Sequence, residues 1–347
     1  MLEKIIYILG VAFLFYAGYY LITSIGIFKK RKKVTNNNDD KKNFFAVIIA
    51  ARNEENVIGK LIDSLKKQSY PSEYFDIYVI VNNCTDNTAI EAKKAGAKVI
   101  SCTEKVSTKG EVLKYTFDLF KDNNKIDAYA IFDADNIVHH DFLAKMNDMI
   151  NSGYSVAQGF RDTKNISDNW LTSSYAILYY FQSLFLNESR YNMGRSSFLN
   201  GTGFVIKKEV IDKHGFNPKT VTEDVEFTAM CAINNEKIGF ATDAITYDEQ
   251  TNSFDVSWKQ RKRWSFGTME CLREYFPTLL KKGIKERNFE CFDVGLFYLS
   301  VISHVVFNLL PIFLLINIII HFDSLTFDNM LYKIIFIVIS YLFGVVV

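Results

Sequence analysis

Apolar residues run from Ile5 to Phe28 without a charge, a stretch long enough to cross the roughly 30 Å hydrocarbon core of a bilayer. The run closes on KKRKK, Lys29 to Lys33. A cleaved leader carries its positive charge ahead of the apolar run, so this order predicts a retained transmembrane helix over residues 1–28 with the cations on the cytoplasmic side. Two further apolar blocks, Val294 to Ile320 and Ile334 to Val347, predict a pair of transmembrane helices within residues 292–347. Between them HFDSLTFDNM carries two aspartates and no Lys or Arg, which fits a loop on the outer side. The last residues, GVVV, lie inside an apolar run and read as a truncated helix.

Between these blocks the period changes. Residues 29–43 are basic and polar and read as a linker. FFAVIIA then predicts a buried strand, and in ENVIGKLIDSLKKQ the residues Val57, Ile58, Leu61, Ile62 and Leu65 fall at helical spacing. The same alternation returns in FDIYVIVNN with NTAIEAKKAG, in AKVISC with GEVLKYTFDLF, and in DAYAIFDAD with FLAKMNDMI. Repeated strand and helix units predict an α/β domain with a mostly parallel sheet, whose ligands bind outside the carboxyl ends of the strands. The loops to watch are therefore AARNEE, NNCTDN, CTEKVSTKG and FDADN. Beyond Ser155 come a strand in SVAQGF, an aromatic helix around SYAILYYFQSLFL, the segment FLNGTGFVIKKEV, and a capped helix in KTVTEDVEFTAMCAI. Residues 268–291 read as an amphipathic segment lying along the membrane surface.

Composition narrows the partners. A chain of 347 residues with 49% hydrophobic content fills an α/β core and leaves apolar helices over, and a formal net charge of +1 gives no bias toward nucleic acid. The five cysteines are widely spaced and form no CxxC, which fits reduced thiols without a sulfur-bound metal.

Four short stretches carry candidate chemistry. In FDADN, Asp133 and Asp135 stand two apart at a strand end, and two hard carboxylates there suit Mg²⁺ or Mn²⁺; a solvated turn with capping aspartates is the plain alternative. Glu223 and Asp224 of TED open a helix, where the dipole alone favours acids, while a buried carboxylate there is a candidate general base. STKG with Lys109 lacks the glycine spacing of a phosphate loop. QRKRW, residues 260–264, reads either as an interfacial belt or as an arginine and a tryptophan poised for phosphate charge and a sugar face.

Taken in chain order, AARNEE, NNCTDNT, STKGEVL, FDADN, LNGTGF, VTEDVEF and QRKRW resemble the signature of the membrane-embedded family 2 glycosyltransferases, a group that includes cellulose, hyaluronan and poly-N-acetylglucosamine synthases. The match covers residues 44–267. The resemblance implies a GT-A-like nucleotide-sugar transferase domain on the cytoplasmic face of the plasma membrane. It implies Asp135 and Asp133 as metal ligands, with Asp133 also holding the donor, and Asp224 as the base. Ala50, Arg52, Asn53, Glu54, Asn82, Lys109, Gln260 and Arg263 would bind a UDP-sugar, and Gly201, Thr202, Glu223 and Trp264 would face the acceptor. Asn82 stands where the family often has an aspartate; an amide keeps both donor and acceptor capacity while losing charge. Arg52 replaces a frequent aromatic residue and offers its guanidinium plane for stacking.

The implied reaction is an inverting transfer to a growing β-linked polysaccharide, with product translocation as its extension. A nonprocessive transferase acting on a membrane lipid is the alternative reading, and a silent nucleotide-sugar sensor or scaffold is the second. In every case membrane lipids are the surroundings.

Overall fold

The computed structural model describes residues 1–31, 34, 41–322 and 326–346. Lys32, Lys33, most of the expected linker, Asp323 of the acidic hairpin and the final Val347 lie outside the described residues. The four strand and helix units form as the periodicity predicts: β1 (Phe45–Ala51) with α2 (Ile58–Lys66), β2 (Phe75–Val81) with α3 (Thr88–Lys94), β3 (Lys98–Ser101) with α4 (Lys109–Leu119), and β4 (Ala128–Asp133) with α5 (Phe142–Asn151). A two-residue strand, β5 (Ile137–Val138), separates β4 from α5. Pairing of β1 with β2 and β4 is parallel, as is β2 with β3.

Side-chain alternation along β1 divides the core in two. Phe45, Val47 and Ile49 pack with Leu61 of α2 and Phe142 and Met146 of α5, all fully buried. Phe44, Ala46 and Ile48 face the other way, onto Leu113 and Phe117 of α4. The sheet therefore needs helices on both faces, which is why its strands carry continuous apolar runs.

The second half extends this sheet. β6 (Val156–Thr163), β7 (Phe204–Lys207) and β8 (Ile238–Asp248) complete an order of β3-β2-β1-β4-β7-β6-β8-β5. β7 runs antiparallel to β4 and β6, while β6 and β8 are parallel. The aromatic stretch becomes α6 (Trp170–Phe181), a π-helical turn over Gln182–Glu188, and α7 (Ser189–Asn192). After β7 come α8 (Lys208–His214) and α9 (Glu223–Ile233).

The apolar blocks become α1 (Leu2–Ser24) with a 3₁₀ turn over Ile25–Phe28, α11 (Phe289–Ile320) and α12 (Phe327–Val346). The spans Leu2–Phe28 and Phe289–Ile320 are long and apolar enough to cross a membrane. α12 starts ahead of the expected block, so Asp328 lies in its first turn and not in a loop. One correction concerns the start of the segment expected at residues 268–291: residues 268–285 continue a longer helix. α10 (Phe254–Lys285) runs unbroken through QRKRW and beyond, because Gly267, Cys271, Tyr275 and Leu279 make a buried stripe at helical spacing. Cys271, Tyr275 and Leu279 pack with Ala229 of α9 and Val294 of α11, so the apolar face meets protein.

A buried ion pair joins the apolar helices to the sheet domain. Arg190 of α7 and Asp293 of α11 are 1% and 2% exposed. Arg190 donates from Nε to Asp293 at 2.7 Å and from a terminal nitrogen to the Tyr19 hydroxyl at 2.9 Å. Tyr19 in turn donates to Asp293 at 2.6 Å. Close by, a Cβ on Gly26 would stand 2.0 Å from the Ser189 carbonyl oxygen, so only glycine allows this approach of the two backbones. Removing one partner leaves the other charge buried alone. Arg190→Met is expected to cost about 3–5 kcal/mol, read as a lowered thermal midpoint of the detergent-solubilised chain; an unchanged midpoint would disprove the burial of the pair.

Candidate active site

The carboxyl ends of β1, β4 and β8 bring together the acids that the sequence scatters. At the end of β4, Asp133 receives Lys109 Nζ, which also donates to the Gly201 carbonyl at 2.6 Å and lies 3.9 Å from Glu223. Lys109 holds this position because it opens α4 behind a capping box of Thr108 and Glu111. The next residue, Gly110, lets α4 meet α9: a Cβ there would stand 3.0 Å from the Glu223 Cβ. Burial works against the Lys109 charge, but Asp133 and Glu223 hold its pKa above the usual value.

Asp135 sits among like charges. Burial, then Asp248, Asp133 and Glu54, push its carboxyl up to about 8, with Arg161 opposing. Glu54 is also raised, by burial first and then by Asp133. Asn136 orders the turn: its Oδ1 accepts from Asp133 N at 3.1 Å and from the Thr202 hydroxyl, while its amide donates to Asp248 at 2.9 Å. Asp248 is 3% exposed and is gripped by Arg161, whose Nη1 donates to the Asn200 carbonyl at 2.7 Å and whose guanidinium lies 3.9 Å over the Tyr179 ring.

Glu223 and Asp224 open α9. Burial raises Glu223 to about 7 against the pull of Lys109, and burial also raises Asp224. Gly201 has φ +90°, in the left-handed region, and a Cβ there would meet Asp224 Oδ2 at 3.4 Å. The Asp224 carboxylate thus faces the LNGTGF turn, whose Thr202 hydroxyl accepts from Asp133 N at 3.0 Å. α9 is itself fixed, with Tyr298 of α11 donating to the Val225 carbonyl at 2.7 Å and Glu226 accepting from Thr220 N at 2.8 Å.

The first two loops latch onto each other. Asn53, at φ +60°, accepts from Thr85 N at 2.8 Å, and Glu54 N donates to the Thr88 hydroxyl at 2.7 Å. Ala50, next to last in β1, stands beside Asp133, its register partner, and Asn82 is buried and donates from N to the Ala51 carbonyl at 3.1 Å. Arg52 is exposed.

α10, which carries QRKRW, meets the TED segment at Gly267, three residues beyond the motif. A Cβ on Gly267 would stand 2.4 Å from the Thr222 hydroxyl, the residue ahead of Glu223, and Gln260, Trp264 and Gly267 share one helix face. Trp264 sets its edge to Tyr175 of α6, with centroids 6.2 Å apart. Arg263 is exposed and makes no ion pair among the described residues, whereas Arg261 lies 4.9 Å over the Tyr175 ring. Sequence reasoning missed Asp248, Arg161, Asn136 and Tyr179. The rule that ligands gather at strand carboxyl ends would have pointed to Asp248, the last residue of β8.

A GT-A-like α/β sheet with this acidic centre at its carboxyl edge defines a nucleotide-sugar transferase fold. The chain belongs to glycosyltransferase like family 2, whose model matches residues 42–267. It is similar to the probable glycosyltransferase YdaM of Bacillus subtilis, 24% identical over 74% of this chain and 63% of the relative. It is also similar to the beta-monoglucosyldiacylglycerol synthase of Synechocystis sp., 25% identical over 65% of this chain and 48% of the relative. The chain thus spans about half to two thirds of the length of these relatives. The mannosyltransferase PcManGT of Pyrobaculum calidifontis, solved with GDP-Man and Mn²⁺, shares the fold with a TM-score of 0.69 and 14% identity, over 99% of this chain and 97% of that one.

The crowding at Asp135 has a measurable sign. A carboxyl raised in the folded state weakens the fold progressively as pH rises from its ordinary value near 4 to about 8, where the loss is complete; near pH 4 the loss is only beginning. In chelator, Asp135→Asn is expected to stabilise the protein at about pH 8.5 by on the order of 1–3 kcal/mol, after allowance for solvent screening, with little of that gain near pH 4. Thermal midpoints of both proteins across that range give the comparison, and a gain independent of pH would refute the assignment.

Proposed function

We propose that the chain moves a sugar from a nucleoside diphosphate-sugar, UDP-linked by preference, to a hydroxyl of a membrane lipid, inverting the anomeric carbon. The observation that carries this reading is the shared cleft at Gly201: Lys109 ties its carbonyl to Asp133, and Asp224 faces it from α9. Groups suited to a diphosphate and a buried carboxylate suited to a hydroxyl proton therefore meet at one turn.

Asp133 and Asp135 would hold a Mg²⁺ or Mn²⁺ ion. The donor set fits: these are hard oxygens, and the repulsion that raises Asp135 is what a divalent cation relieves. When bound, the ion neutralises charge on the departing diphosphate. Asp224 takes the proton from the acceptor hydroxyl. As the acceptor oxygen bonds to the anomeric carbon, the carbon–oxygen bond to phosphate breaks and the nucleoside diphosphate leaves with the bonding pair. Gln260 and Arg263 steady the diphosphate, Trp264 offers the acceptor a flat face, and Asn82 with the Ala50 to Glu54 loop reads the nucleotide. Glu223 and Thr202 line the acceptor side.

A lipid acceptor is favoured over a polymer by the apolar helices. Phe13 of α1 packs edge-on against Phe307 of α11 at 5.3 Å and Phe336 of α12 at 5.1 Å, so the three helices fill their own centre. The named activity of the Synechocystis relative accords with a lipid acceptor. An integral membrane protein with its catalytic unit on the cytoplasmic side is supported by Arg31, in the middle of the basic cluster, which pairs with Glu188 of the domain at 2.8 Å.

Membranes carrying the chain, given labelled UDP-glucose, UDP-N-acetylglucosamine or GDP-mannose, are expected to yield a lipid bearing one sugar. A labelled polymer would replace this reading with polysaccharide synthesis, and no transfer from any donor would favour the silent sensor. Asp224→Asn is expected to lower turnover by about 10²–10⁴-fold while nucleotide binding stays. Because Asp224 is raised, the wild-type rate should fall as acid protonates it.

A further inference from the structure

The loops that leave β6 and β8 run together on their way to α6 and α10. Asn165 accepts from Gln250 N at 2.9 Å and donates from Nδ2 to the Gln250 carbonyl at 2.9 Å, and Asn169, the cap of α6, donates to the Asn252 carbonyl at 3.0 Å. Lys164 N donates to the Asp248 carbonyl at 3.0 Å, so this residue starts from a backbone tied to β8. Its side chain then reaches the acidic centre.

Lys164 Nζ donates to the Asp135 carbonyl at 2.8 Å and pairs with Glu249 at 2.7 Å. The lysine side chain is 18% exposed and the glutamate 48%, so the cation is the sheltered member of the pair. A charged donor makes the stronger kind of hydrogen bond, and this one ends on the backbone of a residue whose carboxylate is crowded by Asp248, Asp133 and Glu54. That repulsion works to spread the turn. The Asn136 amide holds the turn to Asp248 one residue on, and Lys164 holds it at Asp135 itself.

We propose that Lys164 is a positioning residue for the diphosphate site: through the Asp135 carbonyl it keeps the Asp135 carboxylate set beside Asp133, ready for a divalent ion and the donor diphosphate. The inference rests on the proposed transfer and adds to it a residue just past the end of β6. The hydrogen bond to the carbonyl carries the role and the charge does not, since a cation beside two carboxylates by itself weakens their hold on a second cation. Outer partners of metal ligands govern affinity about 10–100-fold.

UDP, then GDP, is titrated by calorimetry into the full chain in detergent, in excess Mn²⁺ and again in chelator. Lys164→Met combined with Glu249→Gln removes one charge of each sign, so only the tie is lost. This double variant is expected to bind the nucleotide at least about tenfold more weakly in Mn²⁺, with affinity and thermal midpoint in chelator unchanged. Lys164→Arg, whose guanidinium also donates to a carbonyl, should stay within about threefold of wild type. Equal affinity of the double variant in Mn²⁺, an equal loss in Lys164→Arg, or a loss in chelator as large as in Mn²⁺ would overturn the proposal. A wild-type chain that binds neither nucleotide in Mn²⁺ would sink the transfer reading itself, and this inference with it, before any variant is compared.

Discussion

The carboxylates of Glu54, Asp133, Asp135, Glu223, Asp224 and Asp248 meet at one edge of the sheet, and the buried cations in contact with them are Lys109 and Arg161. Holding that much negative charge away from water is costly unless each group is paired, hydrogen-bonded or protonated. The fold uses all three answers. Lys109 pairs with Asp133, Arg161 and Asn136 hold Asp248, and Asp135 and Glu223 move up toward neutrality. The turn that carries Gly201 and Gly203 is fixed by close approach as well, since a Cβ on Gly203 would stand 2.5 Å from the Thr246 hydroxyl.

Much of this was legible in the residues. The β1 to β4 units follow from local periodicity, because parallel strands buried on both faces must be apolar throughout and their helices must show an apolar stripe. The motif order also brought Asp133, Asp135, Lys109, Gly201 and Asp224 into view as a set. Arg161 and Asp248 were not legible. They stand 87 positions apart and meet only because β6 and β8 pair in parallel, with Thr163 opposite Asp248. No local pattern encodes that register. The partners of residues 268–285 were not legible for a related reason: an amphipathic stripe says that one face is covered, and only the fold shows that α9 and α11 cover it.

The same helices that carry the apolar character also support the chemistry. Tyr298 of α11 holds the first turn of α9, and Tyr275 of α10 donates to Glu226 within it. Asp224 is therefore positioned from below by residues that a catalytic unit cut at residue 267 would lack.

The clasp of Arg190, Asp293 and Tyr19 adds a constraint of height. Three elements, α1 and α11 from the two ends of the chain and α7 from its middle, are bound through one buried charge pair, which fastens the sheet domain to its apolar base at that point. In the proposed transfer, an acceptor hydroxyl would come to Asp224 at the elevation above that base which the clasp sets. On that proposed reading the clasp would act as a ruler, and an acceptor on too long or too short a stalk would be refused by distance before any contact at the turn could judge it.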